Sequence, residues 1–511
     1  MTATPIRADH PLWRDTAPPG DATTPLTGRS TCDVVVLGAG IVGLTAAVEL
    51  ARAGLEVVVV EAREVGAGTT GGSTAKATLV QGTRFSAFAR SHEADVLARY
   101  AEATVVAQQL IRQHCEQMGT PLQEADGVSY AVTDAGRRDL EDEAQAMAAA
   151  GVPTELTGDA PDLPWSVTGA LRLAGQYQFD PQAYLKGLAA QASGAGVRLH
   201  AGTRADGVTA GSPRVVGCSS AAGRGQVRAR HVVVATGTPV FDRAGFFARL
   251  EPSRSYCIAV RVRGELPPGM YLSVDSPTRS IRRAGGGMDD VLVVGGNAHP
   301  VGRATDNAAR LADLERWARS EFDVAEVTHR WAAQDYITSD ALPFVGRYGP
   351  TTKDMWVATG FAKWGTTTGV AAALSISGEI LGRPVPWARD WDPWRGDVVP
   401  QSLGTAKINA GVAGQMATGW FGALRREVPD SATVREGQGV VGRDGVQPVG
   451  VSRVDGVVHA VSAVCPHAGG ILTWNDAEMS WDCPLHGSRF SAAGARLEGP
   501  ARCGLAGLDN R

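Results

Sequence analysis

The apolar positions of the chain follow two periods. Residues 34–37 are four apolar residues in a row closed by Gly38, and an all-valine run occupies 57–60. Short unbroken runs of this kind predict strands buried on both faces, and the glycine-punctuated apolar stretch between them predicts a tight turn into a helix. Residues 84–118 and 135–150 are alanine-rich with apolar side chains at helical spacing. Asp180 followed by Pro181 predicts a helix over 180–195, with a capping carboxylate and proline at the first helical position. Residues 197–200 and 231–235 read as short buried strands, and 255–300 alternates like an antiparallel sheet, as at 256–262 and 291–294. A further helix is predicted from near Thr368 to Gly382.

The texture changes at both ends. Residues 1–30 are rich in Pro, Thr and Gly and predict an extended arm. Residues 383–403 hold Trp387, Trp391, Trp394 and four prolines, which predicts a linker packed by aromatics; 405–425 reads as one helix. From about 430 the chain is rich in Gly and Val, with short strand-like runs. No internal repeat or low-complexity tract interrupts it.

Composition narrows the classes. With 44% hydrophobic and 20% charged residues over 511 positions, the chain is expected to fold into two or more globular domains. A net charge of −4 leaves no basic surplus for phosphates, so no nucleic-acid partner is expected. The longest apolar run, 34–48, is closed by Asp33 and Glu49 and is too short to span a bilayer. No membrane partner is expected, and the charged N-terminal residues predict a cytoplasmic protein. Seven loosely spaced cysteines give no secreted disulfide framework.

Two motifs carry chemistry. The first is Gly38, Gly40 and Gly43 directly after a strand, as G-x-G-x-x-G. The first glycine permits the turn, the second lets the backbone approach a pyrophosphate, and the third lets helix and strand pack closely. Glu61 ends the next strand about 20 residues on, where a carboxylate accepts from a ribose hydroxyl. Glutamate rather than arginine there selects an unphosphorylated ribose. No second motif of this spacing exists; the nearest, around Gly295 and Gly296, is misspaced, so no separate nicotinamide domain is expected.

The run from Glu61 through Gly66, Gly68, Thr69, Thr70, Gly71, Gly72 and Ser73 resembles the second glycine-rich segment of FAD enzymes of the D-amino-acid oxidase, glycine oxidase and sarcosine oxidase superfamily. Residues 232–237 resemble their strand returning to the nucleotide, and 340–346 with 360–365 their C-terminal flavin segment. The resemblance covers roughly 32–383. It implies FAD as cofactor, held by Gly38, Gly40, Gly43, Glu61, Ala62, Arg63, Thr69, Thr70, Ser73, Thr74, Ala235, Thr236, Gly237, Gly346, Gly360, Lys363, Trp364, Gly365 and Thr366. A glycine-rich loop opening the helix after Gly365 would set positive partial charge beside the flavin. Lys363 and Lys76 read equally as surface lysines or as lysines near the flavin.

The second motif is Cys465-Pro-His467 followed by Cys483-Pro-Leu-His486. Two thiolates and two imidazoles suit either a 2Fe-2S cluster or a zinc ion. The flanks, Gly469-Gly470, Gly487-Ser488-Arg489-Phe490, 459–462 and 499–501, resemble the Rieske domain, which implies a Rieske-type 2Fe-2S cluster held by Cys465, His467, Cys483 and His486. Two further cysteines of many Rieske proteins, which form a disulfide there, are replaced by Gly470 and Leu485. A tyrosine that donates to sulfur in high-potential members is Phe490, which predicts a midpoint in the lower half of the Rieske range.

The expected fold is therefore an α/β FAD-binding Rossmann-type domain with an antiparallel-sheet substrate domain (α+β), plus a C-terminal all-β Rieske domain. The expected boundaries are an arm at 1–30 and an oxidoreductase at 31–383. Within it FAD-binding parts fall at 31–82, 180–240 and 335–383, and substrate-domain parts at 83–179 and 241–334. A linker at 384–430 and the Rieske domain at 431–511 complete the chain. The expected activity is oxidation of a C–N bond in a small amine or amino acid, with electrons passing from flavin to cluster and on to an external one-electron acceptor. Direct reoxidation by dioxygen, delivery of electrons from cluster to flavin, and a redox sensor without turnover are the rivals; an open cavity over the flavin favours an enzyme. Asp335, Tyr336 and Lys363 are the candidate catalytic residues. Asp335 stands where related amino-acid oxidases carry a carboxylate-clamping arginine, which shifts the expected substrate toward an amine without a carboxylate. An ion pair of Asp335 with Arg282 or Arg347 is the structural alternative, and Arg282 or Arg283 the substitute clamp. Tyr256, Tyr271 and His299 are expected in segments near the flavin, chiefly as packing residues.

Overall fold

The computed structural model describes residues 9–241, 244–285, 290–395 and 398–508. Val34, Val35, Val36 and Leu37 are all buried, as are Val57–Val60, because these strands lie in the middle of a sheet covered on both faces. The sheet order is Phe344–Arg347, Met355–Thr359, Gly223–Val234, Gly28–Leu37, Val57–Val60, Arg198–His200. The last five run parallel, with Val34 opposite Val57 and Val35 opposite Val232. Helices Ile41–Arg52, Pro181–Gly194 and Gly365–Ile380 pack beside this sheet. Asp180 caps the second of them by accepting from Gln182 and Ala183 N–H at 2.8 and 3.0 Å.

A second sheet of ten strands is built mainly from the segments around 122–179 and 250–338. Its long antiparallel pair, Leu250–Val262 with Val324–Thr338, carries the chain from this sheet toward the nucleotide sheet. One pair, Met270–Ser273 with Leu122–Ala131, is parallel, so the sheet is mixed and not purely antiparallel as expected. The C-terminal region forms two small antiparallel sheets, Gly439–Asp444 with Gln447–Val454 and Val457–Ser462, and four strands between Thr473 and Glu498.

Three expectations need correction. Residues 9–30 are no loose arm: Asp9–His10 pairs with the second sheet, Trp13 is buried and donates from its indole to Ser73 O at 2.8 Å, and the first nucleotide strand starts at Gly28. The flavin-proximal helix begins at Gly365, three residues before Thr368. The aromatic linker and final helix merge more than expected, since Val398–Arg425 is one helix. Its Val412 and Met416 pack on the C-terminal core, and its Trp420 donates to Gly469 O at 2.9 Å. No helix among the described residues is long and apolar enough to cross a membrane.

Candidate active site and cluster centre

Strand Gly28–Leu37 delivers the chain to Gly38, whose φ of +106° is open to glycine and where a Cβ would lie 2.5 Å from Ala235 O. At Gly43 a Cβ would sit 1.9 Å from Gly38 O, so the helix could not close on the turn. Both oxygens of Glu61 accept backbone N–H groups, from Ala39 at 2.9 Å and Arg63 at 2.8 Å, which fixes the carboxylate beside the turn. From here a cavity of about 550 Å³ runs along Gly38 and Gly40, Thr69–Thr74 residues, 235–237 and 363–366. Its lining contains every residue the sequence assigned to FAD except three. Gly43 acts through packing. Gly346, within strand Phe344–Arg347, faces Pro393 and Asp392, and Gly360 takes φ +78° against Thr338; neither lines the cavity. The groove, the glycine turn and the helix N-terminus fit FAD.

Asp335, Tyr336, Lys363, Lys76 and Tyr256 all line this cavity. Ala362 and Lys363 adopt φ of +49° and +75°, a costly pair of left-handed residues. Asp335 holds them: one oxygen accepts from Lys363 N–H, the other from Tyr336 N–H at 2.7 Å. Burial raises the Asp335 carboxyl from its ordinary value against the pull of those amides. Each of its oxygens thus accepts one backbone bond, so the role the geometry shows is to hold this turn at the cavity wall; no ion pair to Arg282 or Arg347 forms. Lys363 is set deep among protein atoms yet accessible, because its side chain opens into the cavity. Burial lowers its ammonium, opposed by Asp335. Lys76 donates to Tyr271 O at 2.7 Å and to Ser280 Oγ at 2.8 Å, and burial with Arg282 nearby holds it well below the usual lysine range.

Arg282 is no substitute clamp. Fully buried outside the cavity wall, it donates to Thr74, Ala75 and Phe179 carbonyls and stacks on Trp13, bracing the flavin loop from behind. Arg283 pairs with Asp290. Tyr271 directs its hydroxyl to Asp162, and His299 stacks on Tyr256 at 5.5 Å; neither lines the cavity. Gln81, Leu272, Ser280 and Gln334 do line it, and no sequence motif marked them.

The two C-terminal loops share one backbone design. Cys465 N–H donates to Gly470 O (2.8 Å) and its carbonyl accepts from Gly469 (3.0 Å); Cys483 does the same with Ser488 (2.8 Å) and Gly487 (3.1 Å). Gly469 and Gly487 supply the left-handed φ, +74° and +77°, that each loop needs. The His467 and His486 rings meet at 5.0 Å, and the Nδ1 of His486 is buried without a hydrogen-bond partner. Burial, His467 and Arg303 hold His486 down at about 4, so it stays a neutral donor. The Cys465 thiol is lowered to about 7, chiefly by the Cys483 thiol and in part by Ser488. A mononuclear ion would draw its donors together. Among the described residues the only three such donors within 4.8 Å are His10, Asp15 and His329, on the second sheet's edge. The four cluster donors are spread wider than one tetrahedral zinc requires and fit a binuclear cluster. Where other Rieske loops carry a disulfide, Leu485 fills the space over Gly470, at 2.6 Å from a would-be Cβ.

The two centres are built against each other. Phe247, from the turn Phe246–Arg249 of the flavin region, packs edge-on to both imidazoles at 4.9 and 4.8 Å. Gln334 of the cavity wall donates from one amide nitrogen to Tyr336 Oη and to Gly487 O, both 2.9 Å, and Gly487 follows ligand His486. Residues 496–499 of the last strand and turn line the flavin cavity. A buried ion cluster locks the contact: Arg254 forks onto Glu478 and reaches Glu498, while Arg489 pairs with Glu478, Asp482 and Glu498.

Fold and site define a flavin oxidoreductase carrying its own iron–sulfur centre. Family models agree: FAD dependent oxidoreductase matches residues 33–377 and Rieske [2Fe-2S] domain matches 425–508. The chain belongs to the FAD dependent oxidoreductase family and carries a Rieske domain; the two bind FAD and a 2Fe-2S cluster. It is 31% identical over 477 residues to the putative Rieske 2Fe-2S iron-sulfur protein YhfW of Bacillus subtilis, covering 92% of each chain. It is 28% identical to a D-amino acid dehydrogenase of Cereibacter sphaeroides, over 68% of this chain and 92% of that one. The glycine oxidase of Geobacillus kaustophilus superposes with a TM-score of 0.60 at 19% identity, covering 72% of this chain and 100% of that one. The protein is thus an FAD-dependent oxidoreductase with a Rieske iron–sulfur domain.

Proposed function

We propose that the protein is a dehydrogenase that oxidises the C–N bond of a small amino acid and sends the electrons out through its cluster domain to an external acceptor. The contact carrying this reading is the bridge from the cavity wall to the cluster loop, Tyr336 to Gln334 to Gly487 beside His486. FAD supplies a two-electron acceptor and the cluster a one-electron carrier. The chain's residues provide the rest. Lys363, pointing into the cavity, offers an ammonium to a substrate carboxylate. Asp335 holds the strained turn that aims it. The helix N-terminus at Gly365 favours negative charge at the flavin edge. Lys76, its ammonium disfavoured, leaves the inner end able to receive an uncharged amine.

Anaerobic mixing with a panel of amino acids and amines tests this, following flavin absorbance and the cluster signal together. Flavin bleaching followed by cluster reduction is expected, with carboxylate-bearing substrates preferred. Bleached flavin beside an oxidised cluster, with peroxide formed stoichiometrically in air, would overturn the relay.

A further inference from the structure

Three arginines meet at the ribose end of the cavity from three separate stretches of chain. Arg63 lies two residues past Glu61, Arg204 is on strand Thr203–Val208, and Arg496 is on strand Arg496–Glu498 of the Rieske domain; all three line the cavity. None has a carboxylate within ion-pair distance among the described residues, and Glu61 is already bonded to Ala39 and Arg63 N–H. Arg496 makes one hydrogen bond, to Ala501 O at 2.7 Å, which leaves most of its fork unused. Burial and mutual repulsion bear on the group. Arg496 is lowered to about 10 by burial and by Arg204, opposed by Asp206; Arg204 in turn is lowered by burial and by Arg63, opposed by Glu61 and Asp206. Cations crowded this way with unused donors suit an anionic, π-faced ligand. Glu61 and the turn at Gly38 identify this end as the place of the adenosine half.

We propose that Arg496 of the Rieske domain is an FAD-binding residue, which with Arg204 and Arg63 grips the adenosine monophosphate half of the cofactor, so that the docked cluster domain closes the flavin site. The domain is then both electron carrier and cofactor clamp. Because coupling is reciprocal, bound FAD must also hold the domain in place. This inference rests on FAD binding alone and survives failure of the proposed electron route.

The full-length protein with its cluster intact supplies the test. Arg496→Ala is expected to release FAD about tenfold faster or more, read as recovery of flavin fluorescence on dilution, and to weaken ADP binding to the FAD-stripped protein by a similar factor. Arg496→Lys is expected to restore part of both. Adding FAD to stripped wild-type protein should slow hydrogen exchange at Ala308, whose N–H donates to Asp476 Oδ1 of the Rieske domain at 2.9 Å. Unchanged FAD release and ADP affinity in Arg496→Ala would overturn the proposal. So would faster Ala308 exchange in FAD-stripped Arg496→Ala than in FAD-stripped wild type, which would mark simple undocking independent of the cofactor.

Discussion

Replacing Arg254 by methionine should loosen the dock between the two centres without touching either cofactor. Arg254 and Glu478 have side-chain exposures of only 5% and 7%. The surrounding cluster sets two guanidiniums, Arg254 and Arg489, against three carboxylates, Glu478, Asp482 and Glu498. Removing one cation leaves two surplus negative charges on Arg489. Breaking a fully buried pair costs about 3–5 kcal/mol, because one charge stays behind desolvated. Glu498 is 24% exposed and Arg489 remains, so the lower end applies, about 3 kcal/mol or two powers of ten in the opening equilibrium.

The Ala308 amide reports that equilibrium directly. It sits in the first turn of helix Asn307–Glu321, where no intrahelical partner exists, and its protection comes from Asp476 across the interface. Its hydrogen exchange should accelerate about 100-fold in Arg254→Met, while amides of strand Gly28–Leu37 keep their rates. Arg254→Lys, which cannot fork onto Glu478, should fall between. Cluster reduction should slow in step while flavin reduction by substrate holds. Exchange at Ala308 within about threefold of wild type would refute the idea that this ion cluster holds the domains together.

Lys363→Met should raise KM for a carboxylate-bearing substrate about tenfold or more with the flavin spectrum intact; equal loss for carboxylate-free amines would count against the anchor. Asp335→Asn should cost about 1–3 kcal/mol of stability, seen as a lower thermal midpoint, since one backbone N–H loses its acceptor; raised KM without that loss would restore the ammonium-binding role. Phe490→Tyr should raise the cluster midpoint in a redox titration, and the wild-type midpoint should lie in the lower half of the range of about −150 to +300 mV. His114 is held at about 4 by burial, with Tyr184 Oη 3.0 Å from its Nδ1. Between pH 6.5 and about 4 the unfolded chain takes up a proton that the folded chain refuses, so stability falls as pH drops through that window. His114→Asn should flatten this acid slope, worth about 3 kcal/mol at most, in thermal midpoints measured across the window.

The parts of the molecule that repeat a local rule were readable before the fold was known. Gly38, Gly40 and Gly43 report a turn whose geometry admits little else, and Cys465, His467, Cys483 and His486 report a donor set with few rivals. Gly469 and Gly487 show why their loops are recognisable: each provides the same left-handed residue for the same backbone bond. What escaped was set by distant segments meeting. Asp335 looked available for a ligand because its partners, the Tyr336 and Lys363 amides, are exposed as partners only once the turn at 362–363 is seen to bend back. Trp13 and Arg282 looked like arm and clamp, yet they brace each other under the flavin loop. Gln334 and Arg496 carry no motif at all. Their meaning lies in an interface between regions about 150 residues apart in sequence.

That interface is polar where a purely cohesive one would be oily. Arg254, Arg489, Glu478 and Asp482 are buried with nearly every donor and acceptor used, including Ser480 Oγ and the Asn475 amide. Ion clusters of this kind add little net stability over apolar packing, but they tolerate few alternative alignments, since any slip strands a desolvated charge. A one-electron carrier serving a fixed flavin gains from that intolerance. The cluster loop must return to Gln334 and Phe247, and the strand at 496–498 must return to the cavity rim, in the same alignment each time. On this argument an apolar replacement of Arg254 and Glu478 together would keep the domains associated yet blur their register. It should therefore impair electron passage and FAD retention more than it impairs thermal stability, the reverse of what removing a merely cohesive contact would do.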